Sequence, residues 1–232
     1  KVSSGTAFAA AAALSYCMAK VGQALAHALP EAVMAGADNI VSNVAGRSKK
    51  AISRLAENHL MMMAAIGSLV FSAQMFNFPV ASGTSGHFLG GVFAAIALGP
   101  FSGTVVISAV LVVQSFFFSD GGIDALGANI LNLAVIGSLA AYYIYYVINR
   151  SIKGGAGFMA GVMLASFCSV FFASLACSIE LGASGIIPFE KVIPAMSWVH
   201  ARIGIAEALL TLVALKALIT CNFDIAGRVD GE

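Results

Sequence analysis

Charge is what this chain has least of. Lys and Arg number 12 and Asp and Glu 11, so charged residues make up 10% of 232 and hydrophobic ones 59%, with a mean hydropathy of +0.93. Soluble domains carry about 25% charged residues. Charges this sparse cannot cover so apolar a chain with a wetted surface, and that excludes a water-soluble globule. The net charge is +1 and the basic residues gather into no long patch, so nucleic acid, whose phosphates demand such a patch, is excluded as a partner. The four cysteines, Cys17, Cys168, Cys177 and Cys221, stand singly in or beside apolar runs. Without a CxxC or a pairing spacing they build neither a zinc site nor a disulfide framework, and they read as small hydrophobes in helices. No internal repeat and no low-complexity tract beyond the early alanines is present, which removes repeat arrays.

What is there is a series of apolar segments of spanning length, about 20 residues each. They cover residues 5–25, 59–78, 126–147, 157–181 and 195–218, and a longer run over 88–119 is broken by Gly99-Pro100 into two shorter helices with a tight turn. The expected fold is an all-α integral membrane protein, a bundle of about seven transmembrane helices with six as the alternative count. Residues 1–232 form one transmembrane domain. Arg47, Lys49, Lys50 and Arg54 follow the first segment, and Arg150 and Lys153 lie between the fifth and sixth. Positive loops stay cytoplasmic. The N-terminus, the loop of His87, the turn from Asp120 to Asp124 and the loop around Glu190 are then outside, and the C-terminal tail with Arg228 is inside. Asp120, Asp124, Glu180 and Glu190 outnumber Lys1 and Lys191 on the outer side, an imbalance that draws cations or is simply a solvated rim.

Residues 26–58 are more polar and mix Asp38, Asn39 and Asn43 with the basic cluster. They read as an amphipathic cytoplasmic connection lying near the lipid headgroups, or as plain linker. The first segment has a rival reading as a cleaved signal peptide, but Lys20 suits a spanning helix whose lysine snorkels better than a signal core. Small residues four apart recur at Ala7/Ala11, Ala9/Ala13, Gly86/Gly90 and Gly157/Gly161. Such faces let helices approach backbone to backbone. The glycine pairs read as internal packing, and the alanine face as a place where a partner membrane protein can dock.

Polar chemistry interrupts the chain most sharply over 77–91, Asn-Phe-Pro-Val-Ala-Ser-Gly-Thr-Ser-Gly-His-Phe-Leu-Gly-Gly. Such a stretch cannot form a lipid-facing helix, so its backbone is buried in protein or faces water. His87 sits in its middle. Neutral imidazole is the commonest transition-metal ligand and suits nickel, cobalt, copper and zinc, although a lone His is also an ordinary structural residue. Gly83 and Gly86 let another segment approach the ring, and Asn77, Ser82, Thr84 and Ser85 can orient its second nitrogen. His27 and His59 read as interfacial. His200 precedes Glu207 by two helical turns and shares its face. A carboxylate inside a membrane needs a partner, and His200 is the expected one, with Arg202 as the rival. Asn129 and Asn132 read as interhelical hydrogen-bonders, or as walls of the outer pocket.

Four stretches carry a resemblance: 77–91; Leu-Gly-Pro-Phe at 98–101; Asp-Gly-Gly-Ile-Asp-Ala-Leu-Gly-Ala-Asn-Ile-Leu-Asn at 120–132; and Pro-Ala-Met-Ser-Trp-Val-His-Ala-Arg-Ile-Gly-Ile-Ala-Glu-Ala at 194–208. Together they resemble the CbiM/NikM proteins, the substrate-specific subunits of energy-coupling factor transporters for cobalt and nickel. The likeness covers about residues 60–218. It implies a multi-pass protein of a prokaryotic plasma membrane that captures Ni2+ or Co2+ outside and holds no cofactor of its own. The metal then serves cobalamin synthesis or nickel enzymes. It also implies a transmembrane coupling subunit, two cytoplasmic ATPases and a small accessory membrane subunit as partners. In that family the ion is held by the N-terminal amine, by the second residue's amide and imidazole, and by the His of the Ser-Gly-His loop, here His87. The family opens with Met-His, whereas this sequence begins Lys1-Val2-Ser3-Ser4, so about ten leading residues with three ligand atoms are expected upstream. The segment 26–53 is longer than the corresponding connection in the family.

Two other readings compete. Gly83-Thr-Ser85-Gly86-His-Phe-Leu-Gly90 fits a GxSGxxxG pattern, which resembles a rhomboid-type intramembrane protease with Ser85 as nucleophile and His200 as base. It leaves the other three stretches unexplained. The blandest option is a structural membrane subunit without a site.

Overall fold

A computed structural model describes Tyr16, Ala19, Lys20, Gln23 and residues 41–80, 84–223 and 225–227, with backbone alone for 41–56. The alanine face expected to dock a partner, Ala7, Ala9, Ala11 and Ala13, lies outside the described residues, as do Cys17 and His27.

Helix α1 spans Val41–Gln74, and its backbone runs without a break from the polar residues of the connection into the apolar segment. A short hairpin follows, β1 over Asn77–Pro79 and β2 over Ser85–His87. Then come α2 (Gly91–Leu98), α3 (Pro100–Phe117) and α4 (Leu126–Asn129). The last continues through a π-helical stretch, Ile130–Ala140, into α5 (Ala141–Ser151). Helices α6 (Gly155–Ala183) and α7 (Phe189–Thr220) complete the chain.

Four helical segments among the described residues are long and apolar enough to cross a membrane: Pro100–Phe117, Leu126–Ser151, Gly155–Ala183 and Phe189–Thr220. Large apolar side chains such as Phe116, Leu164, Phe172, Leu209 and Val213 point outward from them. Water would penalise that surface, and hydrocarbon does not. The π-helical stretch, by contrast, has no sequence signature in this chain.

The break at Gly99-Pro100 falls where the sequence places it. Gly99 takes φ 90°, which favours glycine, and Pro100 opens α3 with the fixed φ that suits a first helical turn. The two helices it joins are unequal. Helix α2, at 1.5 Å per residue, is only about 12 Å long, and all eight of its residues are counted among its buried ones. It stands inside the bundle as a half-height helix surrounded by protein. Gly103 of α3 packs so closely on it that an added Cβ would lie 2.6 Å from the Ala95 backbone.

Both ends of α2 are held. At its C-terminal end the carbonyls of Ile96 and Ala97, which have no partner within the helix, accept from the amides of Gly227 (2.8 Å) and Ala226 (3.2 Å) in the C-terminal tail. The Tyr145 hydroxyl donates to Gly227 O at 2.7 Å, and Asn149 donates to that hydroxyl. At the other end α2 grows directly out of the hairpin.

Candidate functional site

The hairpin pairs Asn77 with His87, Phe78 with Gly86 and Pro79 with Ser85, and Val80 N donates to Thr84 O at 3.0 Å. Successive strand residues face opposite sides, so Ser85 and His87 share one face and Gly86 has the other. Gly86 lies flat against α7. An added Cβ there would come within 2.8 Å of His200 Nε2 and Ile203 Cδ1. The sequence anticipates that close approach at Gly86. Val80, after β1, packs against the cluster of Ile187, Val192 and Met196, which Cys177 and Leu181 also join.

His87 is half-buried, and its Nδ1 lies 2.8 Å from the carbonyl oxygen of Phe88. A carbonyl only accepts, so Nδ1 is the donor here, and in the neutral ring the lone pair is then on Nε2. That is the tautomer in which Nε2 can ligate a metal while the other nitrogen is held by a backbone acceptor. The sequence reading gave this orienting role to Asn77, Ser82, Thr84 or Ser85. Ser82 lies outside the described residues, and among the described ones the ring's partner is the Phe88 carbonyl. That carbonyl belongs to the next residue in the chain and lies within reach of Nδ1.

From His87 the chain runs through Phe88, Leu89 and Gly90 into α2, and this strap is gripped from two helices. Glu207 of α7, only 3% exposed, accepts from Leu89 N through Oε2 (2.9 Å) and from Gly90 N through Oε1 (2.7 Å). Gln74, the last residue of α1 and 1% exposed, donates from Nε2 to Leu89 O at 2.7 Å. Gly90 turns the strap into the helix at φ 67°, with Val70 pressed on its Cα. The Leu89 side chain is buried with Val170, Ala173 and Ile203. Phe88 meets Phe78 edge to face at 5.6 Å.

Glu207 therefore has a partner, as an intramembrane carboxylate must, but neither of the expected ones. His200 donates from Nδ1 to Met196 O at 2.8 Å, one turn back on its own helix. The Arg202 guanidinium stacks 4.9 Å from the Trp198 ring on the outer surface of the bundle. Backbone amides at the start of α2 solve the problem instead, because the first amides of a helix lack partners and carry the positive end of its dipole. A cavity of about 180 Å³, lined by Val70, Ala73, Phe93, Glu207 and Leu210, opens beside this contact.

Asn129 and Asn132 divide. Asn129 donates to Gly121 O (3.3 Å) and steadies the glycine turn before α4. Asn132 donates to Glu180 Oε2 (2.8 Å), an interhelical bond between the π-helical stretch and α6. The protease arrangement is not formed, since Gly86 and not Ser85 lies against His200, and His200 Nδ1 is committed to Met196. Among the described residues no three His, Cys, Asp or Glu side chains converge on a metal position. His87 can thus be one ligand of a set and not the whole of it. Gln74 is missed by the sequence reading, although a carboxamide near the end of an apolar segment is a signal of the same kind as Asn132.

The sequence profile described as the cobalt uptake substrate-specific transmembrane region, CbiM, matches residues 2–225. A fused nickel transport protein, NikMN, of Rhodobacter capsulatus is 35% identical over 170 residues, 66% of this chain and 48% of its own length. The chain spans about half the length of the fused nickel transport proteins it matches. A cobalt transport protein, CbiM, of Thermosediminibacter oceani is 30% identical over 201 residues, 85% of this chain and 79% of that one. A crystal structure of a truncated transition metal transporter shares the fold, with a TM-score of 0.74, 24% identity and 94% of each chain covered.

Proposed function

Since the chain belongs to the CbiM family of cobalt uptake substrate-specific transmembrane regions, we propose that it is the substrate-capture membrane subunit of an ATP-driven importer of the energy-coupling factor type for Ni2+ or Co2+. The observation that supports the reading is the contact of His87: Nδ1 of this half-buried residue donates to Phe88 O, which leaves Nε2 of the neutral ring available to a metal ion.

In this reading the hairpin end faces outward and the C-terminal tail lies in the cytoplasm, because Arg47, Lys49, Lys50, Arg54, Arg150 and Lys153 then fall on the inner side. The ion arrives as substrate. His87 supplies one nitrogen, and the native N-terminus supplies an amine, an amide and a second imidazole. Four nitrogens in a plane favour Ni2+, and a similar set accepts Co2+, so selectivity comes from ring placement and not from raw affinity. Buried strap contacts hold that placement. The chain is a transport subunit and not an enzyme. ATP hydrolysis belongs to two cytoplasmic partner subunits, coupled through a transmembrane partner with the help of a small accessory membrane subunit.

The test is equilibrium dialysis with Ni2+ on protein that carries its complete native N-terminus. Binding by the native protein and its loss in His87→Ala support the reading. Unchanged affinity in that variant removes it.

A further inference from the structure

We infer that Glu207 and Gln74 are positioning residues for the captured ion: by gripping the backbone of Leu89 and Gly90 from opposite sides, they fix where the His87 ring sits and so set its bond to the metal. This rests on the proposed capture of the ion by His87.

The grip runs along most of the strap. Between His87 and α2 only Phe88, Leu89 and Gly90 intervene, and three of their polar backbone groups are accounted for. Leu89 N and Gly90 N donate to the two oxygens of Glu207, and Leu89 O accepts from Gln74. A fourth, Phe88 O, is the acceptor that fixes the His87 ring. The carbonyl that sets the ring's tautomer and angle thus belongs to the peptide unit that ends in the Leu89 amide, and that amide is bonded to Glu207. A peptide unit is planar. Rotation of the Phe88–Leu89 unit would turn Phe88 O away from Nδ1 and pull Leu89 N off Glu207 in one motion. The contact from α7 runs through this rigid plane to the imidazole, and the contact from α1 holds the next plane, Leu89–Gly90, which is joined to it at the Leu89 Cα. Both gripping groups are buried, and both oxygens of Glu207 and Nε2 of Gln74 are bonded to the strap backbone.

The test uses full-length protein with its native N-terminus in detergent, and reads Ni2+ affinity, the ligand-field absorption of bound Ni2+ and the melting temperature. Glu207→Gln keeps one acceptor and turns a donor towards a donor, and Gln74→Met removes the Leu89 O contact at similar volume. Each is expected to weaken Ni2+ binding by about 10- to 100-fold, the usual effect of losing an outer contact to a ligand, and to shift the absorption bands. Tyr145→Phe, which removes a buried hydrogen bond at the far end of α2, is expected to lower the melting temperature with affinity and bands unchanged. If Glu207→Gln does not fold, Gln74→Met decides alone. Native affinity and native bands in the folded variants, with binding still lost in His87→Ala, overturn this inference and leave the capture reading intact. Nickel binding indifferent to His87→Ala overturns both.

Discussion

Gly86 lies against the imidazole of His200 so closely that a single methyl group would not fit, its carbon falling 2.8 Å from Nε2. The hairpin that carries His87 is therefore seated on α7 by the absence of a side chain.

Gly86→Ala should push the hairpin off α7. The obstacles are a buried imidazole and the end of Ile203, and forcing a methyl into packed surroundings costs about 1–3 kcal/mol. Thermal melting should register that loss. Pairing the substitution with His200→Ala should recover much of it, whereas a single variant that melts like the native protein would show that the contact is slack.

At the other end of α2, Tyr145→Phe removes the donor to Gly227 O. A buried acceptor left unpaired costs about 1–3 kcal/mol. Amide exchange at Ala226 and Gly227, whose bonds cap α2, should accelerate while exchange at Leu89 and Gly90 stays slow. Equal acceleration at both ends would mean that the helix does not isolate them.

Gly91→Val tests the packing of α2 on the π-helical stretch. An added Cβ would run into Gly137 O, a backbone atom that cannot swing aside. The expected outcome is loss of folded protein in detergent, seen as aggregation on size-exclusion chromatography. A monodisperse variant would count against the packing described.

Much of this architecture can be read from residue order, and the rest cannot, for identifiable reasons. Apolar runs interrupted by Gly99-Pro100 are a local signal, and the helices and their break follow it. The stretch 77–91 announces itself as non-helical, but three-residue strands are too short to show a period, so the hairpin is not visible. That Glu207 needs a partner follows from the cost of a carboxylate in lipid. Which partner it finds does not, because the amides of Leu89 and Gly90 lie more than a hundred positions away and every residue carries one. His200 is nearer in sequence and on the same face, but it has its own turn's carbonyl at hand. The grip of Gln74 on Leu89 is hidden in the same way.

The most direct measurement is anomalous diffraction from nickel-loaded crystals of the protein with its complete native N-terminus. The account predicts a nickel peak about 2 Å from His87 Nε2, in the range of metal–imidazole bonds, with Nδ1 still donating to Phe88 O. A peak bonded elsewhere, with the His87 ring unligated, would contradict it.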